Sequence, residues 1–220
     1  MRPARFVQQL REITFVDTFN PYSDRCEVHD REDAPSLRAR SLESVLSRAS
    51  ECEIDSLWLG RDLGYRGGRR TGLALTDDVH IAAHGARWEV AVVRPTKGEA
   101  VAERTAAVVW RLLHKIEKPI FLWNVFPFHP HEHGAPFTNR AHSRAEKAAG
   151  EAILSELVRL LRPRRIIGLG NDAAAAALRI APQHTAFAVR HPSYGGQPEF
   201  IRQVAALYEL TDGQHQPQLI

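Results

Sequence analysis

The sequence predicts an α/β fold, namely a three-layer α/β/α sandwich with a central, mostly parallel sheet of four strands. Three observations predict it. Four short apolar runs have the length of buried strands, and longer amphipathic segments alternate with them. In addition, 44% of the 220 residues are hydrophobic, which is enough for a sizeable core. Strands that alternate with helices pair in parallel through right-handed crossovers. We therefore expect one domain over residues 1–220.

Each element has its own signal in the sequence. Apolar positions at helical spacing predict helices over 4–12 and 37–50, and the turn-rich residues 17–33 between them predict a loop. The run SLWLG at 56–60 predicts the first buried strand, because it is short, apolar and ends in glycine. The later elements alternate along the chain: helix 98–116, strand 120–126, helix 141–161, strand 165–170, helix 171–180, strand 185–190 and helix 197–209.

Composition and charge exclude several classes of protein. The two cysteines, Cys26 and Cys52, are too few to ligate an iron–sulfur cluster and do not indicate a disulfide scaffold. No apolar run is long enough to span a bilayer or to act as a secretory signal, so we expect a cytoplasmic protein without a membrane partner. The net charge of +3 permits a polyanionic partner but does not require one. We also expect a monomer.

Three polar residues stand at the ends of predicted strands. Asp62 follows the first strand, Asn124 lies near the end of the second, and His191 follows the last. Each alone has an ordinary structural explanation, such as a turn cap or an amide that satisfies local backbone groups. However, ligands bind at the carboxyl ends of the strands in open parallel sheets. The three side chains are therefore expected to line one site.

Three motifs surround these residues: GRDLGYRGGRRTGLALT at 60–76, WNVFPFHP at 123–130 with Asn139 and Arg140 behind it, and RHPSYGG at 190–196. Their order, their spacing and their positions after strands resemble the uracil-DNA glycosylase superfamily. The first motif is similar to a blend of the G-x-D-P-Y and G-E-x-P-G elements of that family, and the last is similar to its H-P-S element. Arg61 departs from the G-E-x-P-G pattern, whereas Asp62 fits the acid of G-x-D-P-Y. The resemblance covers about residues 55–205.

The resemblance implies a hydrolase that releases uracil from DNA after the base has been flipped out of the stack. Its transition state carries a cationic sugar and an anionic base, and both charges need stabilisation. The resemblance assigns Asp62 to the sugar and to the attacking water, and it assigns a neutral His191 to O2 of uracil. Asn124 would read the N3–H and O4 edge of the base, because an amide offers both an acceptor and donors.

The pocket walls and the DNA contacts follow from the same resemblance. Gly64 stands where a tyrosine blocks the methyl group of thymine, Tyr65 is the neighbouring substitute, and Leu75 stands where an aromatic ring stacks on uracil. We therefore assign these three residues to uracil binding. Glycines beside arginines let backbone N–H groups approach phosphate. The predicted contacts to uracil-containing DNA are Arg66, Arg69, Arg70, Arg190, Ser193, Tyr194 and Gly195, with Tyr194 as the bulky residue that fills the emptied stack.

Several alternatives stay open on the sequence. The protein could act on another deaminated base such as hypoxanthine, or it could bind damaged DNA or abasic sites without turnover. The run GLGND at 168–172 ends a strand before a helix, as in nucleotide-binding proteins, but it lacks a full dinucleotide fingerprint. The loop that contains His129, His131, Glu132 and His133 lacks the usual spacing of zinc ligands. We predict no metal and no cofactor.

Overall fold

The structure is a computed structural model, and it describes residues 2–193 and 195–210. A four-stranded sheet with all neighbours parallel forms its centre, in the order β3-β2-β5-β6. These strands are β2 (Ser56–Asp62), β3 (Ile120–Phe126), β5 (Arg165–Leu169) and β6 (Thr185–Val189). A small antiparallel pair, β1 (Thr18–Phe19) and β4 (His129–Pro130), lies apart from this sheet.

Eight helices connect and cover the strands in the described part of the chain. They are α1 (Pro3–Arg11), α2 (Ala34–Ser50), α3 (Gly68–Thr71), α4 (Ile81–Arg87), α5 (Arg104–Leu113), α6 (Arg144–Leu161), α7 (Asn171–Ile180) and α8 (Gln197–Leu207). None of them is both long enough and apolar enough to cross a lipid bilayer.

Side chains that alternate along the strands build two cores, one on each face of the sheet. Leu57 and Leu59 of β2 join the core that contains residues of α1, α2, α6 and α7. Trp58, between them, joins the opposite core, to which α5 and α8 contribute. Successive side chains of a strand point to opposite faces, so a continuous apolar run feeds both layers. The predicted three-layer α/β/α fold is confirmed.

The largest departures from the predicted elements fall between β2 and α5. Helix α5 begins at Arg104 instead of residue 98, because the preceding N–H groups pair with aspartates. The N–H of Val101 donates to Asp78 Oδ2 at 3.2 Å, and that of Glu103 donates to Asp77 Oδ2 at 2.7 Å. The short helices α3 and α4 were not predicted, since four and seven residues are too few to show a helical period.

Two further boundaries differ at the carboxyl edge of the sheet. Strand β2 runs on to Asp62, which pairs in register with Phe126 of β3. Helix α6 begins after Ser143, whose hydroxyl accepts from the N–H of Glu146 in a capping box, so the predicted start at residue 141 is wrong. Asp62 therefore lies on the strand itself, where the backbone ladder holds it more firmly than a loop would.

Candidate functional site

The carboxyl edge of the sheet opens into a cleft with a volume of about 440 Å³. The three residues singled out in the sequence, Asp62, Asn124 and His191, all line it. The other lining residues with a predicted role are Gly64, Leu75, Arg190 and Ser193. The expectation that three strand ends meet in one site therefore agrees with the structure.

Asp62 presents its carboxylate to the cleft from the end of β2, and its side chain is 7% exposed. Its Oδ2 accepts a hydrogen bond from Arg61 Nε at 2.8 Å, and its Oδ1 accepts one from Nδ1 of His142. Arg61 also donates to the carboxylate of Asp172 at 3.3 Å. Two donors on two oxygens fix the orientation of the Asp62 carboxylate before any substrate binds.

Asn124 has one polar atom without a partner. Its Nδ2 donates to the backbone carbonyl of Asp62 at 2.9 Å, which leaves the second N–H of the amide free. Its Oδ1 is buried and accepts no hydrogen bond from any described residue. An unsatisfied buried polar atom costs about 1–3 kcal/mol. A ligand that donates to Oδ1 and accepts from the free N–H recovers that free energy. The amide can therefore bind a ligand that has a hydrogen-bond donor next to an acceptor.

A glycine on the neighbouring strand leaves room for the Asn124 amide. Gly60 of β2 pairs in register with Asn124 of β3. A Cβ at Gly60 would lie 2.6 Å from Asn124 Nδ2 and 3.2 Å from Leu75 Cδ2, so glycine leaves the room that both side chains occupy. Leu75 is 8% exposed, has a φ of 54° and lines the cleft. It provides the cleft with an apolar surface.

His191 is a neutral hydrogen-bond donor. The N–H of Ser193 donates to Nδ1 of His191 at 3.2 Å, so the proton of the neutral ring is carried by Nε2. Burial lowers the pKa of His191, and the positive charges of Arg61 and Arg190 lower it further. The imidazole therefore reaches the cleft as a neutral ring with Nε2–H as its donor.

Two arginines predicted to contact DNA are buried, and these expectations are corrected. Arg69 is 4% exposed, and its guanidinium lies 4.1 Å from the ring centroid of Phe19. Arg70 is 5% exposed and forms an ion pair of 2.7 Å with Asp78. Buried arginines are stable when they are paired or stacked. Both residues therefore stabilise the loop after β2 and do not face phosphate.

Tyr65 also departs from its predicted role, since it does not line the cleft. Its backbone N–H donates to Asn139 Oδ1 at 3.0 Å, and its hydroxyl accepts from Arg66 Nε at 2.9 Å. The guanidinium carbon of Arg66 lies over the Tyr65 ring, 5.4 Å from the ring centroid. Tyr65 thus orients an exposed arginine, and Gly64 alone of this pair borders the cleft.

The loop after β6 contributes the remaining predicted contacts. Arg190 is exposed and borders the cleft, and the hydroxyl of Ser193 lies 3.4 Å from that of Thr105. Gly195 is exposed, with a φ of +77° and open space where a side chain would stand. Tyr194, predicted to fill the emptied stack, lies outside the described residues.

His142 and Glu103 are among the acidic and basic neighbours of the site that the sequence-based prediction missed. His142 contacts Asp62 from 80 positions away in the chain, and Glu103 lines the cleft from the residue before α5. Neither has a local signal, because both are brought to the site by packing between distant elements. Arg140, quoted within the second motif, forms a 2.7 Å ion pair with Glu146 and holds the segment that carries His142.

The histidine-rich loop does not form a metal centre in the described residues. His129 is buried, and its Nε2 lies 2.8 Å from the carbonyl oxygen of Thr138. Burial lowers the pKa of His129 to about 3, so the ring stays neutral. His133 instead contacts Asp17 at 3.1 Å. Over 2–193 and 195–210, no three His, Cys, Asp or Glu side chains are grouped to hold a metal ion.

An oriented carboxylate, an amide with a free donor and acceptor, and a neutral imidazole surround one cleft, as expected of a DNA glycosylase from the three motifs. The chain belongs to the uracil DNA glycosylase superfamily, whose sequence profile matches residues 59–205. This match confirms the resemblance drawn from the three motifs.

A solved structure supports the fold. The crystal structure of wild-type SMUG2 from Pedobacter heparinus matches with a TM-score of 0.62 and 15% sequence identity, and the match covers 95% of this chain and 97% of that chain. At this identity the similarity shows the α/β/α fold alone. A comparison with curated proteins finds no match.

Proposed function

We propose that this protein is a monofunctional uracil-DNA glycosylase, which hydrolyses the N-glycosidic bond of a flipped-out deoxyuridine and leaves an abasic site. The observation that carries the proposal is the buried, unpartnered Oδ1 of Asn124 in the same cleft as Asp62 and His191. Uracil offers N3–H to that oxygen and O4 to the free N–H of the same amide. Cytosine inverts both groups and leaves them unpaired.

The chemistry separates a cationic sugar from an anionic base, and each side of the cleft stabilises one charge. The Asp62 carboxylate stabilises the oxocarbenium-like sugar and orients the water that attacks C1′. Nε2–H of His191 donates to O2 of the departing uracil, where negative charge develops. The water supplies its oxygen to the sugar, and its proton passes to solvent or to the leaving base, so the reaction needs no cofactor.

The proposal is tested by incubating the purified protein with labelled oligonucleotides that carry uracil, hypoxanthine or thymine opposite guanine, followed by alkaline cleavage of abasic sites. We expect cleavage of the uracil strand at a rate that EDTA does not change. Faster cleavage of the hypoxanthine strand would make another deaminated base the substrate. Binding without cleavage of any strand would identify a binding module. Activity that EDTA abolishes and zinc restores would contradict the metal-free mechanism.

Electrostatic attraction to the DNA backbone is expected to come from Arg66 and Arg190, the two predicted contacts that remain exposed arginines. Replacing Arg190 with Gln should flatten the dependence of log Kd on log salt by about one unit, since each phosphate contact releases roughly one counterion. Fluorescence anisotropy over a series of salt concentrations measures this slope.

A matched control uses an exposed arginine at the other end of the sheet. Arg164 precedes β5, and its side chain is 66% exposed. Arg164→Gln should leave the slope as in the wild type. Equal slopes for the wild type and Arg190→Gln would mean that Arg190 does not meet a phosphate.

A further inference from the structure

Glu103 carries a carboxyl group into the cleft that the proposed reaction does not use. It immediately precedes α5, and its backbone N–H is held by Asp77 Oδ2 at 2.7 Å. A Cβ built on Gly64 would clash with Glu103 Oε1, and one built on Gly67 would clash with Oε2. The carboxyl group therefore fills the space that two glycines without side chains leave beside the cleft.

No described residue donates a hydrogen bond to this carboxyl group, and it borders the same cleft as Asn124 and His191. Burial raises the pKa of Glu103 to about 7, and the negative charge of Asp77 contributes to the rise. Below that pH the group is largely neutral, so a base can approach it without facing a full negative charge. Glu103 is therefore a polar wall of the pocket and not a partner in a structural ion pair.

The contacts assigned to the base indicate which of its edges faces the Glu103 carboxyl group. Asn124 takes the N3 and O4 edge and His191 takes O2, so the edge that remains is C5 and C6. Gly64 lines the cleft two residues after Asp62, whose carboxylate the proposed reaction places at the sugar, and it has no side chain. The carboxyl group that occupies the place of its missing side chain is that of Glu103.

We propose that Glu103 is the specificity-determining residue that excludes bases with a substituent at C5, because its carboxyl group closes the pocket beside Gly64. This inference rests on the proposed uracil-DNA glycosylase activity. It assigns discrimination against thymine to a residue on a different segment from the first motif. Gly64 and Glu103 then act together, since the carboxyl group occupies the space that a side chain at Gly64 would take.

The test compares excision of uracil and thymine, each opposite guanine in the same oligonucleotide, below pH 7. Glu103→Ala opens the pocket, and Glu103→Asp withdraws the carboxyl group by one methylene. Both should raise the thymine-to-uracil ratio of kcat/KM by about tenfold or more, the scale for one methyl group in a pocket. Glu103→Gln keeps the size of the side chain and is the matched control, with the wild-type ratio expected.

A second variant tests the contact with Gly64. In the Glu103→Ala background, Gly64→Ala should restore discrimination against thymine, because its methyl group refills part of the space. Thermal denaturation shows whether Glu103→Ala and Glu103→Asp are folded. The inference is overturned if the wild type excises uracil and both folded variants keep the wild-type ratio of thymine to uracil excision. If the wild type does not excise uracil, the proposed function fails first, and the inference fails with it.

Discussion

Replacing Asp62 with Asn is expected to slow uracil excision by about 100-fold or more, the scale for loss of one preorganised electrostatic group. The variant removes the negative charge that faces the oxocarbenium-like sugar. It also replaces one carboxylate oxygen with an NH₂ group, which cannot accept from Arg61 or His142. Single-turnover rates with excess enzyme measure the chemical step, and anisotropy measures DNA binding, which should change little.

A matched control lies at the other end of the same strand. Asp55 precedes β2 and pairs with Arg165 at 3.0 Å, far along the strand from the cleft. Asp55→Asn removes a partly buried carboxylate that does not line the cleft, so the excision rate should match the wild type. If Asp62→Asn excises uracil at the wild-type rate, Asp62 has no part in the mechanism, even if the substitution changes the stability of the protein.

The fold was predictable because apolar runs and helical periods are local signals. Strands β2, β3 and β5 are buried over most of their length, and their apolar runs show this in the sequence, whereas β6 is buried only at Val189 and was indicated by its short apolar run. Helix boundaries were less accurate because side chains from other segments set them. The start of α5 depends on Asp77 and Asp78, which capture N–H groups that a helix would otherwise use.

The candidate site was predictable where a candidate residue lies at or near the end of a strand. Asp62, Asn124 and His191 meet because parallel strands bring their carboxyl ends to one edge, and the chain motifs mark all three. His142 and Glu103 reach the cleft through tertiary packing, so no spacing in the sequence indicates them.

The arginine prediction failed for a related reason. The run at 66–70 shows charge but not exposure. Arg69 is covered by Phe19 and Phe137, at 4.1 and 5.0 Å, and these rings come from distant parts of the chain. An arginine that stacks on aromatic rings in a buried position contributes to stability, and its charge is not available for DNA.

Asn124→Asp is expected to change which base the pocket prefers. In the wild type, one N–H of Asn124 donates to the carbonyl of Asp62 at 2.9 Å, and the other N–H is left for O4 of uracil. An aspartate in this buried position needs a proton on one oxygen to keep the bond to that carbonyl. That hydroxyl oxygen stands where Nδ2 stood, and it turns a lone pair instead of an N–H toward O4 of uracil, while the other oxygen still accepts from N3–H. Uracil excision should therefore fall by about 100-fold or more, because a buried polar mismatch is a large term in specificity.

Cytosine meets the same variant with a donor, since its N4 amino group replaces O4. The Asn124→Asp protein should show a relative gain on cytosine, measured as the ratio of cytosine to uracil excision in identical oligonucleotides. Asn124→Ala is the matched control: it removes both donor and acceptor, so it should lose uracil excision without any change toward cytosine. If Asn124→Asp excises uracil at the wild-type rate, Asn124 does not read the base. The unpartnered Oδ1 would then have to be satisfied by water, and the pocket would lie elsewhere along the cleft.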